Sequence, residues 1–189
     1  TYWQQLRDPR LAPLFAEGFL LMGAFVTAYN YVTYRLLGPP FHLSHAVVGS
    51  IFVVYPLGIF ASAWAGSLAH RVGRGRMLAA MIGLMLLGVA LMMPPLTASV
   101  VAGIAVLTFG FFGAHSVASA WVGVRATHGR AQGAALYFFF YYIGSSIAGA
   151  IGGLFWERWG WTGVIAFLVT MIGAGMALVP AKDPATEYG

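Results

Sequence analysis

Charge is what this sequence has least of. Only 8% of its 189 residues are charged, ten basic against five acidic, while 60% are hydrophobic and mean hydropathy is +0.80. A soluble domain carries roughly 25% charged residues. A chain this poor in charge cannot cover its own surface in water, so its solvent is lipid. Cysteine is absent, which excludes disulfides, thiolate metal sites and thiol nucleophiles. Paired carboxylates and an HExxH pattern are missing as well. His42 and His45 lie three apart, but at a loop and a helix start without a third ligand. Neither an enzyme nor a bound metal or cofactor is therefore expected. The net charge of +5 falls in short clusters between long apolar runs rather than along one face, which argues against nucleic acid as a partner.

What is present is long apolar sequence. At 1.5 Å per residue, roughly 20 residues cross about 30 Å of hydrocarbon. Six stretches are long enough: 13–36, 45–69, 77–96, 99–124, 132–156 and 161–180. Gly38-Pro39-Pro40 closes the first and Ser44 offers an N-cap to the second. Pro94-Pro95 separates the third from the fourth, the stretch from Arg125 to Arg130 the fourth from the fifth, and Glu157-Arg158 with Gly160 marks the last turn. Membrane strands would show alternating segments of about ten residues, and none is seen. The expected fold is an all-α polytopic membrane protein. Residues 1–12 are a linker, 13–180 a six-helix transmembrane bundle and 181–189 a tail.

The basic residues set an orientation. Arg7, Arg10, Arg71, Arg74, Arg76, Arg125, Arg130 and Lys182 fall on one side of six crossings, against Arg35 and Arg158 on the other. The bias of Lys and Arg toward cytoplasmic loops then predicts that both termini are cytoplasmic. The chain opens at Thr1, with no Met and no short apolar leader, and reads as a segment from within a longer polypeptide.

Internal repetition is visible. Gly66-Ser67-Leu68-Ala69-His70-Arg71-Val72-Gly73 matches Gly153-Leu154-Phe155-Trp156-Glu157-Arg158-Trp159-Gly160 as G-x-[LF]-x-[HE]-R-x-G, and Tyr55 matches Tyr142 at the same offset of 87 residues. One copy follows the second span and the other the fifth, on opposite sides. That is the expectation for a three-plus-three inverted repeat.

The first copy, Gly66, Leu68, Ala69, Arg71, Gly73, Arg74 and Arg76, resembles the signature loop of the major facilitator superfamily after the second helix of a six-helix half. It departs at His70, where the family usually has Asp, and at Gly75. The segments around 18–41, 47–66 and 135–156 resemble the C-terminal half of bacterial YnfM-type inner-membrane exporters. The resemblance implies half of a major facilitator fold in a bacterial inner membrane. It also implies alternating access, often as proton-driven efflux of a small molecule, and either a missing N-terminal six-helix half or a second copy as partner. His70 in place of the acid points to an alternative, a non-transporting membrane module.

Polar groups inside a span cost about 2.5–3.5 kcal/mol and usually face protein or water. In the first span Glu17, Tyr31 and Arg35 share a stripe at steps of three and four, flanked by Asn30 and Tyr34. His115 and Ser119 share a face of the fourth span with Thr108 and Phe111. Tyr137, Tyr141 and Ser145 step along the fifth, where Gly149 and Gly153 allow close helix approach. These are the expected substrate or proton path. Pro56 is expected to kink the second span, and spans three and six, nearly without polar groups, to face lipid.

Overall fold

The computed structural model describes residues 2–126 and 129–180; Lys182 and the rest of the tail lie outside the described residues. All regular structure among them is helical. A short α1 (Tyr2–Leu6) lies within the segment expected to be a linker, and α2 (Ala12–Leu37) follows. Pro13 sits in the first turn of α2, where its missing donor costs nothing. Next comes α3 (His45–Ser50), capped by the Ser44 side chain accepting from the Val47 N–H. A 3₁₀ turn (Ile51–Val54) leads to α4 (Pro56–Val72). The break falls where Pro56 removes a backbone donor, so the second apolar stretch is two helices and a tightened turn. The bundle is completed by α5 (Arg74–Leu91), α6 (Thr97–Arg125) and α7 (Arg130–Leu178). The α5 helix ends at Leu91 rather than near 96, because Pro94 and Pro95 cannot continue it.

The largest difference from expectation is α7. Five helical stretches among the described residues are long and apolar enough to cross a membrane, and the last holds 49 residues without a loop. Drawn straight it would be roughly 74 Å long. It is not straight. Gly160 has φ 59° and ψ −146°, a region only glycine enters readily. Phe155 and Phe167 stack with centroids 4.9 Å apart, although twelve residues of unbroken helix would separate them by roughly 18 Å. The element is therefore a hairpin with arms 130–159 and 161–178. Gly73, between α4 and α5, also has positive φ, at 92°. The last glycine of each sequence repeat thus reverses the chain, and a Cβ at either would meet nothing within 4 Å. The demand is on the backbone, not on space.

Without water between helices, association rests on close van der Waals packing. The most extensive contact is between α2 and α7, followed by α5 with α6 and α4 with α6. Gly23 and Ala148 meet so closely that a Cβ on Gly23 would lie 2.8 Å from that of Ala148, and Gly152 abuts Tyr31. The closest approach runs along Gly144, Ala148 and Gly152, one face of α7, rather than through the expected Gly149 and Gly153 alone.

The two ends of the bundle differ. At one, Arg125 donates to the Arg10 carbonyl at 2.6 Å, Gln5 donates to the Gly129 carbonyl at 2.9 Å, and Gly75 abuts Pro180 and Trp121. Asp8 accepts from Arg10 at 2.9 and 3.1 Å there, and this bond holds its carboxyl below the usual aspartate range. At the other, Arg35 donates to the carbonyls of Met92, Met93 and Pro94, between the rings of Phe41 and Trp161. The Trp161 indole also donates to Met92.

Candidate translocation site

An open cleft of 570 Å³ lies along α2 and the start of the second apolar stretch. Its walls carry Asn30, Tyr31 and Tyr34 from the expected set, joined by Phe25, Tyr29, Phe52 and Tyr55. Among the described residues no charged side chain lines it. Tyr31 donates to the Gly149 carbonyl at 2.9 Å, which fixes its ring beside Trp156. Tyr34 is 58% exposed. Tyr29 sits 2.6 Å from the Thr108 hydroxyl, which donates to the Ile104 carbonyl; the phenol is therefore the donor to Thr108. This bond ties the floor of the cleft to α6.

Aromatic contact continues from the cleft into the bundle. Phe25 stacks on Phe111 at 4.1 Å, and Phe111 stacks on His115 at 6.0 Å. His115 Nδ1 and the Tyr137 hydroxyl share a hydrogen bond of 3.0 Å whose direction follows the imidazole tautomer. Tyr141 lies 4.9 Å from the same imidazole. Thus His115, Tyr137 and Tyr141, drawn from α6 and α7, form one cluster. Tyr137 is buried against Gly18, so it ends the cluster on α2, one residue from Glu17.

Glu17 is fully buried, and neither carboxylate oxygen has a hydrogen-bond partner among the described residues. It faces the second arm of α7, where a Cβ on Gly175 would come 3.0 Å from Oε2. The remaining expected residues point elsewhere. Arg35 belongs to the far end of the bundle and is not on the cleft wall. Ser119 donates to Ser116 at 3.2 Å and Ser145 to Tyr142 at 2.8 Å, each within its own helix. Sequence reasoning missed Phe25 and Tyr29. Their signal was an aromatic pair four apart on α2, on the face that also carries Met22 and Val26.

A family model described as Major Facilitator Superfamily matches residues 14–188. The chain belongs to the Major Facilitator Superfamily. It is 47% identical over 167 residues to the "Uncharacterized MFS-type transporter YybF" of Bacillus subtilis, covering 88% of this chain and 41% of that protein. To the "Inner membrane transport protein YnfM" of Escherichia coli it is 48% identical over 166 residues, 88% of this chain and 40% of that protein. An "Uncharacterized transporter" of Buchnera aphidicola is 38% identical over 172 residues, 91% and 42%. The chain thus spans about two fifths of the length of the curated relatives it matches. Within this superfamily member, the loop that resembles the signature is the α4–α5 turn. Gly66 packs near Ser116, Leu68 joins the core, His70, Arg71 and Arg76 are exposed, Arg74 is partly buried, and Gly73 makes the reversal.

Proposed function

We propose that this chain is the C-terminal six-helix half of a proton-coupled secondary transporter that exports small molecules by alternating access. The observation that carries the reading is the aromatic, uncharged cleft with Asn30 on its wall, open on a face with no opposing wall. Tyr142, at 61% exposed, and Phe52 and Phe138 are large side chains left bare. The relatives' greater length agrees with a missing opposite half; a second copy of this chain is the other candidate to cover the face.

Six crossings in a three-plus-three inverted repeat are favoured by the hairpin at Gly160 and by the matched glycine reversals. The contact pattern agrees. The first helix of each triad packs on the second helix of the other, α2 on α7 and α6 on α4. The concentration of arginine at one end favours that end, with both termini, on the cytoplasmic side of a bacterial inner membrane. Protons are assigned to Glu17, a carboxylate without partners in a low-dielectric interior, and to the Tyr137–His115 pair beside it.

The test is proton-dependent flux of a solute panel of drugs, sugars and acids by the full-length protein in vesicles, with Glu17→Gln and His115→Asn. Loss of coupling in either supports the reading; unchanged flux in both overturns the proton assignment. Flux by this chain alone in proteoliposomes would favour the second copy over the missing half. Absence of flux for every solute would favour the non-transporting module. Labelling of the turn around Arg74 from outside the cell would overturn the orientation.

A further inference from the structure

A second groove, of 310 Å³, opens where α1 meets α2 and α7, away from the residues of the cleft. It is lined by Leu6, Phe15, Ala16, Phe19, Leu20 and Phe140, with no polar side chain among the described residues. Phe15 and Phe140 stack at 5.8 Å and form its floor. The groove runs along α2 from Ala12 to Leu20, roughly 12 Å at helical rise, starting at the arginine-rich end.

Charge appears beside the apolar lining, where Arg7 follows Leu6 at the end of α1. Arg7 is exposed and its guanidinium lies 4.4 Å over the ring of Trp3. No carboxylate pairs with it among the described residues, because the neighbouring Asp8 is held by Arg10. Arg7, Asp8 and Arg10 together therefore leave one positive charge in the stretch that follows Leu6 of the lining. Tyr2 and Trp3 are 54% and 61% exposed beside it. Amphipathic rings of this kind settle at the headgroup level of a membrane.

We infer that this groove binds one acyl chain of an anionic phospholipid, with the headgroup phosphate on Arg7 and the tail along Phe15, Phe19 and Phe140. Depth fits the occupant. Half of a hydrocarbon core of about 30 Å is about 15 Å, close to the length of the groove. The volume fits a slender occupant: spread over roughly 12 Å it gives a cross-section of about 26 Å², about a third of the roughly 80 Å² of a helix about 10 Å across. The inference rests on the chain spanning a membrane but not on transport.

The experiment is lipid retention by the purified full-length protein, read by native mass spectrometry. The lipids are phosphatidylglycerol and phosphatidylcholine with the same acyl chains. The wild type should retain phosphatidylglycerol about fivefold better, the factor expected for one basic residue near the headgroup. Arg7→Gln should bring the two lipids to parity. Ala16→Phe, or Ala12→Phe should the first variant fold poorly, should plug the groove and remove retention of both. Glycerol phosphate, the headgroup without tails, should not displace the lipid. Equal retention of the two lipids by the wild type overturns the inference, as does unchanged preference in Arg7→Gln or unchanged retention in the plugged variant. Loss of the partner half from the plugged protein, with lipid retention intact, overturns it in favour of a helix seat. Absent flux with the lipid preference intact would defeat only the transport reading.

Discussion

Replacing Gly144 with Ala tests the packing on which the cleft depends. A Cβ there would lie 2.7 Å from both the carbonyl carbon and the Cα of Phe19, and closer still to its oxygen. Ordinary carbon contacts start near 3.4 Å, so α2 and the first arm of α7 would have to part by at least about 0.7 Å. The obstacle is helix backbone, which has no rotamer to yield. Overpacking of this kind costs about 1–3 kcal/mol. For a chain of this size, that is roughly 2–12 °C in melting temperature. The separation would also stretch the 2.9 Å bond from Tyr31 to Gly149, five residues along the same helix, and so reshape the cleft wall. Thermal melting of the purified protein in detergent, scanned at one fixed rate, is the assay. Gly173→Ala is the control, since a Cβ there meets nothing within 4 Å, and it should be neutral or slightly stabilising through helix propensity. If Gly144→Ala melted within about 1 °C of Gly173→Ala, the claim that a backbone-to-backbone contact holds these helices together would be wrong.

Gly160→Ala and Gly73→Ala should each cost about 1–3 kcal/mol through backbone strain alone, whereas Gly49→Ala, open and at negative φ, should not; equal melting of all three would refute the matched reversals. Arg35→Gln strands the carbonyls of Met92, Met93 and Pro94, with a loss of about 1–3 kcal/mol. Arg35→Lys should recover only part of it, because an ammonium lacks the planar fork. The Asp8–Arg10 bond lowers the carboxyl pKa, so its contribution is present above the ordinary aspartate value and lost as pH falls through the lowered one. Protection of residues 2–10 against hydrogen exchange, taken relative to the intrinsic rate at each pH, should therefore fall in acid for the wild type, while the protection in Asp8→Asn shows no such transition.

Helical spacing grouped part of the expected set beside the cleft, and the residues that lie elsewhere do so for one reason. Periodicity says which residues share a face of α2, but not what covers that face. Asn30, Tyr31 and Tyr34 fell beside the cleft. Arg35, one residue on, belongs to the carbonyls of the α5–α6 turn, a partner distant in sequence. Ser119 and Ser145 were polar groups in a span, yet each returns its proton to its own helix, a local option that needs no path. Phe25 and Tyr29 looked like ordinary apolar filling until Phe52, Phe111 and Thr108 arrived around them. The stripe of closest approach moved from Gly149 and Gly153 to Gly144, Ala148 and Gly152, because the rotation of α7 against α2 is set by the fit of both surfaces.

By itself the sequence carried the apolar character of the chain, the approximate placing of its long apolar segments, and the prolines and glycines that break them. Those follow from transfer cost and from the fixed rise of a helix, which act on each stretch alone. It also carried the repeat whose last glycines turn the chain. The tertiary structure alone decided that the turn expected near Gly160 is a break at that one residue with no loop, and that Glu17 is sealed against Gly175. It also brought His115, Tyr137 and Tyr141 into one cluster. Each of those depends on how separate helices seat against one another, and close packing couples every such choice to its neighbours.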